Sequence, residues 1–476
     1  MKKLTSSFIA LLVVGCGGGG GGSPTSSPTV AITLSSIPVP AATKPCINPH
    51  TDSSYPDSFK GKYMIPEVRD TLPPSMERSV GLKDYRPILP TYWEAYKVEN
   101  GCKDDEYVKI LYRDSLDKLK TLGAEQVELY IGSQGWTVDP NLNHWIVKPE
   151  SLSHSYELIE YITQEAKKRN LKINLVWQLN IVEFEMNGGM NPKFLVRLGQ
   201  TVDTKLWATI LESHHKNIIN IAKLAEKAGI ERMAADWNAM SIGNLHDPVL
   251  QEMYVQKMLT IIEDMRKVYS GKITFGQIGH VWHDNRIIDN VDILNVSIIP
   301  RLTKTEMINL SPEIVKEKTL QEIHRSYQDF HCMPPSYNYC TLVRSNRQVP
   351  VIFQIAIQSK DDYLTGGAAE DGFCISGTTL DGKSHDCIQA TYGTDFSAQA
   401  IGIEGVLRAI KEQTYFPVQG VNFHSNYWHT DTLKPSTGYI KTESGMVENG
   451  EGFPNLGSTI RGKPAETVVK QWFKRS

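Results

Sequence analysis

Two rhythms of apolar and polar positions alternate along this 476-residue chain. Stretches with apolar residues three and four apart predict amphipathic helices, and short apolar runs between them predict strands. Residues 107–122 place Val108, Leu111, Leu116 and Leu119 on one helical side, with Gly123 as a stop. Residues 126–131 then read as a strand. A helix over 153–169 precedes a strand at 172–177, and a long helix over 204–227, ended by Gly229, feeds 232–237. A helix over 248–269 feeds the strand at 273–277, and further strands fall at 293–297, 349–357 and 420–424. Alternation sustained over roughly 350 residues is the pattern of parallel βαβ units. No fixed-period repeat is present, which argues against a solenoid or propeller. No GxGxxG or GxxxxGK[ST] loop follows a strand, so a nucleotide-binding open sheet is disfavoured. About eight strand–helix units predict an α/β fold with a single closed (β/α)8 TIM barrel over residues 80–476.

The first residues have another character. Lys2 and Lys3 precede the apolar run 8–14, the layout of a secretory signal peptide. That run is too short for a permanent membrane span. It ends in Val13-Val14-Gly15-Cys16, which resembles the lipobox of bacterial lipoproteins. The resemblance implies cleavage after residue 15, acylation of Cys16 and attachment to a membrane by lipid, with several acyl chains giving a stable anchor. Gly17 after the cysteine, by similarity to enterobacterial sorting, favours the outer membrane. Gly17 to Gly22 and the Ser/Pro-rich residues after them predict a flexible tether over 16–44. Residues 45–79 are then an N-terminal extension of the barrel.

Composition narrows the functions. The net charge is −3 with no basic stripe, so neither nucleic acid nor an electrostatic membrane surface is expected as partner. Cys46, Cys102, Cys332, Cys340, Cys374 and Cys387 remain once Cys16 is set aside, and an even number in an exported chain predicts disulfides. Many connectivities are open; pairing neighbours gives Cys332–Cys340 and Cys374–Cys387, leaving Cys46 to clip the extension to Cys102. There is no CxxC or tight Cys/His spacing, so no metal is expected, and no cofactor.

In such a barrel the working face is at the carboxyl ends of the strands. Here those ends are rich in aromatic, amide and imidazole groups: Tyr130, Gln134 and Trp136 on the second strand, Trp177 and Gln178 on the third, Asp236, Trp237 and Asn238 on the fourth. The fifth leads to Gln277, His280, Trp282 and His283. The seventh carries Gln354 and Gln358, and the eighth His424, Asn426, Tyr427, Trp428, His429 and Asp431. Sugars offer hydroxyls that need paired donors and acceptors, and C–H faces that stack on rings. A poly- or oligosaccharide is the expected partner, with Trp136, Trp177, Gln178, Trp237, Asn238, Gln277, His280, Trp282, Gln354, His424, Asn426 and Trp428 as binding candidates.

Residues 80–473 resemble the clan of retaining (β/α)8 glycoside hydrolases, nearest its mannanase and galactanase-like members. The resemblance is carried by Gly420-Val421-Asn422-Phe423, then Trp428, then Gly462-Lys463-Pro464-Ala465-Glu466 and Trp472-Phe473. Residues 395–400 and 206–230 are similar to the helices before the clan's eighth and fourth strands. The clan's chemistry implies two carboxyl groups roughly 5 Å apart, on strands four and seven. This chain departs there, with Asn238 at the acid/base position and Gln354 or Ile355 at the nucleophile position. Asn and Gln can be neither acid nor carboxylate nucleophile. Asp236, two residues before the usual site and so on the same strand face, is the expected catalytic replacement. Asp431 is the expected second group, with Asp361 and Asp362 as alternatives. The same pattern also fits a barrel that keeps a sugar cleft without hydrolysis, since amides bond hydroxyls without a charge to desolvate.

Overall fold

A computed structural model describes residues 46–47, 52, 54–83, 106–133, 136–139, 144–147, 149–179, 204–236, 248–277, 285–330, 348–361, 363–365, 393–424, 427, 429–430 and 457–475, some of them by backbone alone. Ten strands are described: β1 (Glu77–Lys83), β2 (Gln126–Ser133), β3 (Trp136–Asp139), β4 (His144–Val147), β5 (Lys172–Leu179), β6 (Arg232–Ala234), β7 (Lys272–Gln277), β8 (Ile293–Ile298), β9 (Val351–Ile355) and β10 (Val418–Phe423). Eight of them close a barrel in the order β1-β2-β5-β6-β7-β8-β9-β10, with β10 pairing back onto β1. Each barrel pairing is parallel. The expected (β/α)8 barrel is therefore present, with β3 and β4 forming an antiparallel hairpin outside it.

The nine described helices include the four that the 3.6-residue periodicity predicts over 107–122, 153–169, 204–227 and 248–269. They are α1 (Glu106–Leu122), α2 (Pro149–Lys168), α3 (Thr204–Ala228), α4 (Pro248–Val268), the short α5 (Asn285–Ile288) and α6 (Lys304–Ile308), then α7 (Pro312–Phe330), α8 (Phe396–Glu412) and α9 (Pro464–Trp472). Gly123 and Gly229, just after α1 and α3, take φ of 96° and 66°, the left-handed conformation that ends a helix and that a side chain would strain. Asp395 caps α8, its carboxylate accepting from the Ala398 N–H at 2.8 Å. None of the described helices is long and apolar enough to cross a membrane.

Period-two alternation divides each strand between two cores. On β2, Val127, Leu129 and Ile131 point out to the helices and are fully buried, while Glu128 and Tyr130 point inward. Register carries this division around the barrel: Glu128 pairs with Asn174, Tyr130 with Val176 and Ile131 with Trp177. The barrel floor is polar. Arg232 reaches Glu77 at 2.7 Å and 3.0 Å and Gln126 at 3.1 Å, and Gln419 also donates to Glu77.

The extension runs down the outside of the barrel and closes it from one flank. Near the mouth Asp52 holds Arg461 through two bonds at 2.8 Å and 2.9 Å, and the Tyr55, Phe59 and Phe396 rings pack edge to face. Tyr63 donates to the Met307 carbonyl and Asp70 pairs with Lys411. At the base, the Leu72 N–H donates to the Trp472 carbonyl. Cys46 is disulfide-bonded; every other cysteine of the expected pairings lies outside the described residues.

Register also corrects one expectation. Trp177 was assigned to the sugar cleft, but it shares the outward register of Ile131 and is fully buried in the core between barrel and helices. The last inward residue described on that strand is Val176. Trp177→Ala should destabilise the protein by about 3–5 kcal/mol. A lower denaturant midpoint is expected in equilibrium unfolding; an unchanged midpoint would contradict this packing.

Candidate functional site

The inward residues at the carboxyl ends of the strands enclose a cavity of about 200 Å³. Its wall includes Glu128 and Tyr130 from β2, Asp236 beyond β6, Gly276 from β7, Gln354 from β9 and His424 beyond β10.

Glu128 is the centre of this arrangement. Its side chain is buried and accepts four hydrogen bonds. Asn174 Nδ2 at 2.7 Å and Gln354 Nε2 at 3.0 Å reach Oε2. Asn422 Nδ2 at 2.8 Å and the Tyr130 hydroxyl reach Oε1. Four strands thus contribute to one carboxyl. Burial pushes the Glu128 carboxyl above its ordinary value, while the bonds from Tyr130, Gln354 and Asn174 and the charge of Arg232 pull the other way. Gln354 in turn accepts from Asn422 through its own Oε1, so all three amides, Asn174, Gln354 and Asn422, are turned toward Glu128. The Tyr130 oxygen also lies 2.8 Å from His424 Nδ1, with the two rings at 74°.

Asp236 is the second carboxyl of the cavity, and it is half-buried. The Gly276 N–H donates to its Oδ1 at 2.9 Å. Gly276 allows this approach, because a Cβ there would lie 2.8 Å from Asp236 Oδ2. The strand tip bearing Asp236 is fixed from behind as well. His214 of α3 is buried, and its Nε2–H donates to the carbonyl of Ala235 at 2.9 Å. Burial lowers the His214 imidazole to about 4, against an ordinary value of 6.5.

No protein-family model matches the chain, and no curated protein matches it. Its barrel is similar to several solved glycoside hydrolase structures. One is a GH113 β-1,4-mannanase, with a TM-score of 0.45 and 15% identity, covering 84% of this chain and 99% of that one. Another is the GH113 β-mannanase from Alicyclobacillus acidocaldarius in complex with ManMIm, at 0.41 and 15%, covering 76% and 90%. A third is a GH5_18 protein from Streptomyces cattleya in complex with Manβ1-4GlcNAc, at 0.40 and 13%, covering 83% and 79%.

Of the residues expected in the site, Asp236, Gln354 and His424 come together on the cavity wall. Trp136 belongs to the β3–β4 hairpin rather than to a barrel strand, Gln178 pairs with Gly132, and Gln277 pairs with Val296. Only the backbones of these three are described. Trp237, Asn238, His280, Trp282, Asn426, Trp428, Asp431 and Cys16 lie outside the described residues. Tyr427 and His429, read from the sequence as part of the eighth strand's polar tip, are instead buried. The Tyr427 hydroxyl donates to Glu466 on α9, and His429 lies 3.8 Å from Asp114 on α1. Among the described residues no group of three or more His, Cys, Asp or Glu could hold a metal ion.

Glu128 was missed by the sequence reading. Its signal was the alternation Gln126-Val127-Glu128-Leu129-Tyr130-Ile131, which puts a glutamate on the same face as Gln126 and Tyr130. With the outward face apolar, that face is the barrel interior.

The depressed value of His214 has a thermodynamic consequence. The unfolded chain binds a proton near pH 6.5 that the folded chain does not take up until about pH 4. The stabilisation is therefore complete above pH 6.5 and is lost as pH falls toward 4, by about 3 kcal/mol. His214→Gln keeps an N–H for Ala235 but does not titrate. It should lose less stability than the wild type between neutral and acidic pH, as read by denaturant midpoints at the two extremes. Equal losses would contradict a neutral buried imidazole.

Proposed function

We propose that this chain is a carbohydrate-active protein that takes a poly- or oligosaccharide at the mouth of its barrel and hydrolyses it, with Asp236 as the acting carboxyl. The observation that carries the reading is the placement of Asp236. It is half-buried on the cavity wall, held by the Gly276 N–H on one oxygen and on a strand tip fixed by His214. A carboxyl so held can present a proton to a glycosidic oxygen, or as a carboxylate a negative charge to the anomeric carbon, in a fixed direction. The sequence resemblance to mannanase and galactanase-like hydrolases supports the same substrate class. We further infer that residues 1–15 are a lipoprotein signal and that acylated Cys16 anchors the barrel, by a tether over 16–44, to the cell envelope, in the outer membrane. Pairing of the cysteines outside the described residues belongs to the same exported reading.

A second reading is favoured by one observation. The inward amide on the seventh strand, Gln354, is spent on Glu128 and Asn422, and Glu128 is itself saturated with donors. A cavity with one working carboxyl among the described residues fits a glycan-binding protein that does not hydrolyse. Incubating the protein with β-mannans, galactans and other plant and microbial glycans, while assaying both new reducing ends and retention, separates the two. Hydrolysis predicts new reducing ends that fall about 10³-fold in rate with Asp236→Asn. Retention without release for every glycan would leave the binding reading, and neither retention nor release would overturn both.

A further inference from the structure

We propose that Glu128, Tyr130 and His424 form a proton relay that carries the charge state of the sealed carboxyl to the imidazole on the cavity wall. The geometry restricts how Glu128 can exchange a proton. Three of its four partners, Asn174 Nδ2, Gln354 Nε2 and Asn422 Nδ2, are amide N–H groups that only donate. The Tyr130 hydroxyl is the one partner that can also accept. That same oxygen lies 2.8 Å from His424 Nδ1. The hydroxyl has a single proton and is shared between Glu128 and His424, so the states of the two end groups are linked.

Two arrangements satisfy the contacts. In the first, Glu128 is ionised, Tyr130 donates to Oε1, and a protonated His424 donates from Nδ1 to the Tyr130 oxygen. In the second, Glu128 is a carboxylic acid donating to Tyr130, whose own proton points at Nδ1 of a neutral His424 protonated on Nε2. Conversion moves the Nδ1 proton to the tyrosine oxygen as the tyrosine proton moves to Oε1. One N–H and one O–H bond break, two O–H bonds form, and no further reactant is needed. Among the described residues, the titratable groups around the relay are Arg232, Asp236 and Tyr363, the last also on the cavity wall. Arg232 on the barrel floor is engaged by Glu77 and Gln126 and favours the ionised carboxylate, as do the three amides. Asp236 shares the cavity wall with His424 and favours the protonated imidazole.

The relay gives the cavity wall that carries Asp236 a further titratable group, where the described part of the seventh strand presents the amide of Gln354. Its use in catalysis rests on the hydrolytic reading, whereas its existence does not. The test needs no glycan. In the histidine-labelled full chain, the His424 ring resonances, assigned by their loss in His424→Gln, are followed by NMR from about pH 5 to pH 8. Coupling to the buried carboxyl predicts that His424 titrates about one pH unit higher in the wild type than in Tyr130→Phe. Glu128→Gln should give the same downward shift with Tyr130 intact. If Glu128→Gln fails to fold, Tyr130→Phe, which removes one oxygen, decides alone. Titration of His424 at the same pH in wild type and Tyr130→Phe would overturn the relay. Failure of every glycan to bind would leave this outcome unaffected.

Discussion

A closed parallel barrel has no spare inward face: every second residue of each strand is sealed inside, and a polar atom there must find its partner there. The interior of this barrel meets that constraint with a stack of polar groups rather than with the usual branched aliphatics. Arg232, Glu77, Gln126 and Gln419 bond one another at the bottom, and Glu128, Asn174, Gln354 and Asn422 do so above, while Arg232 Nε, Asn174 Oδ1 and Asn422 Oδ1 find no partner among the described residues. Each layer is fed by several strands, so the ladder register sets whether the donors meet their acceptors. Removing one member would strand the rest, because a buried carboxyl without its donors is more costly than an apolar residue of the same size.

The cavity wall is built from the same kind of contact between neighbouring elements. Asp236 projects from a short strand, β6, of three residues, which alone would position a side chain loosely. It is fixed by contacts on two sides, from the Gly276 N–H on β7 and, through Ala235, from His214 on α3. The helix layer and the neighbouring strand therefore both specify one carboxylate direction. His424 is set in the same manner, by the tyrosine of β2, a strand separated from β10 only by β1.

The fold was largely legible because its signals are periodic. Helix and strand runs separated by Gly123 and Gly229 identify βαβ units without reference to any contact, and eight of them leave a barrel as the economical closure. The site was less legible, and Trp177 and Glu128 show why. An aromatic beside amides at a strand end looks like a sugar platform, yet one step of register sends its side chain to the helices instead. A glutamate inside an apolar strand looks like an exposed edge residue until closure of the sheet turns its face inward. Sequence pattern specifies which residues share a face; which face is the interior depends on pairings between strands far apart in the chain, such as Asn422 with Gln354. Asp236, Gln354 and His424 were found because strand tips are identified by position alone.

The arginine-centred layer at the amino end has one further implication. Arg232, Gln126 and Ser79 are each no more than 3% exposed, so among the described residues the barrel is closed at its amino end. A ligand of the cavity therefore reaches Glu128, Tyr130 and His424 from the carboxyl ends of the strands and not through the floor.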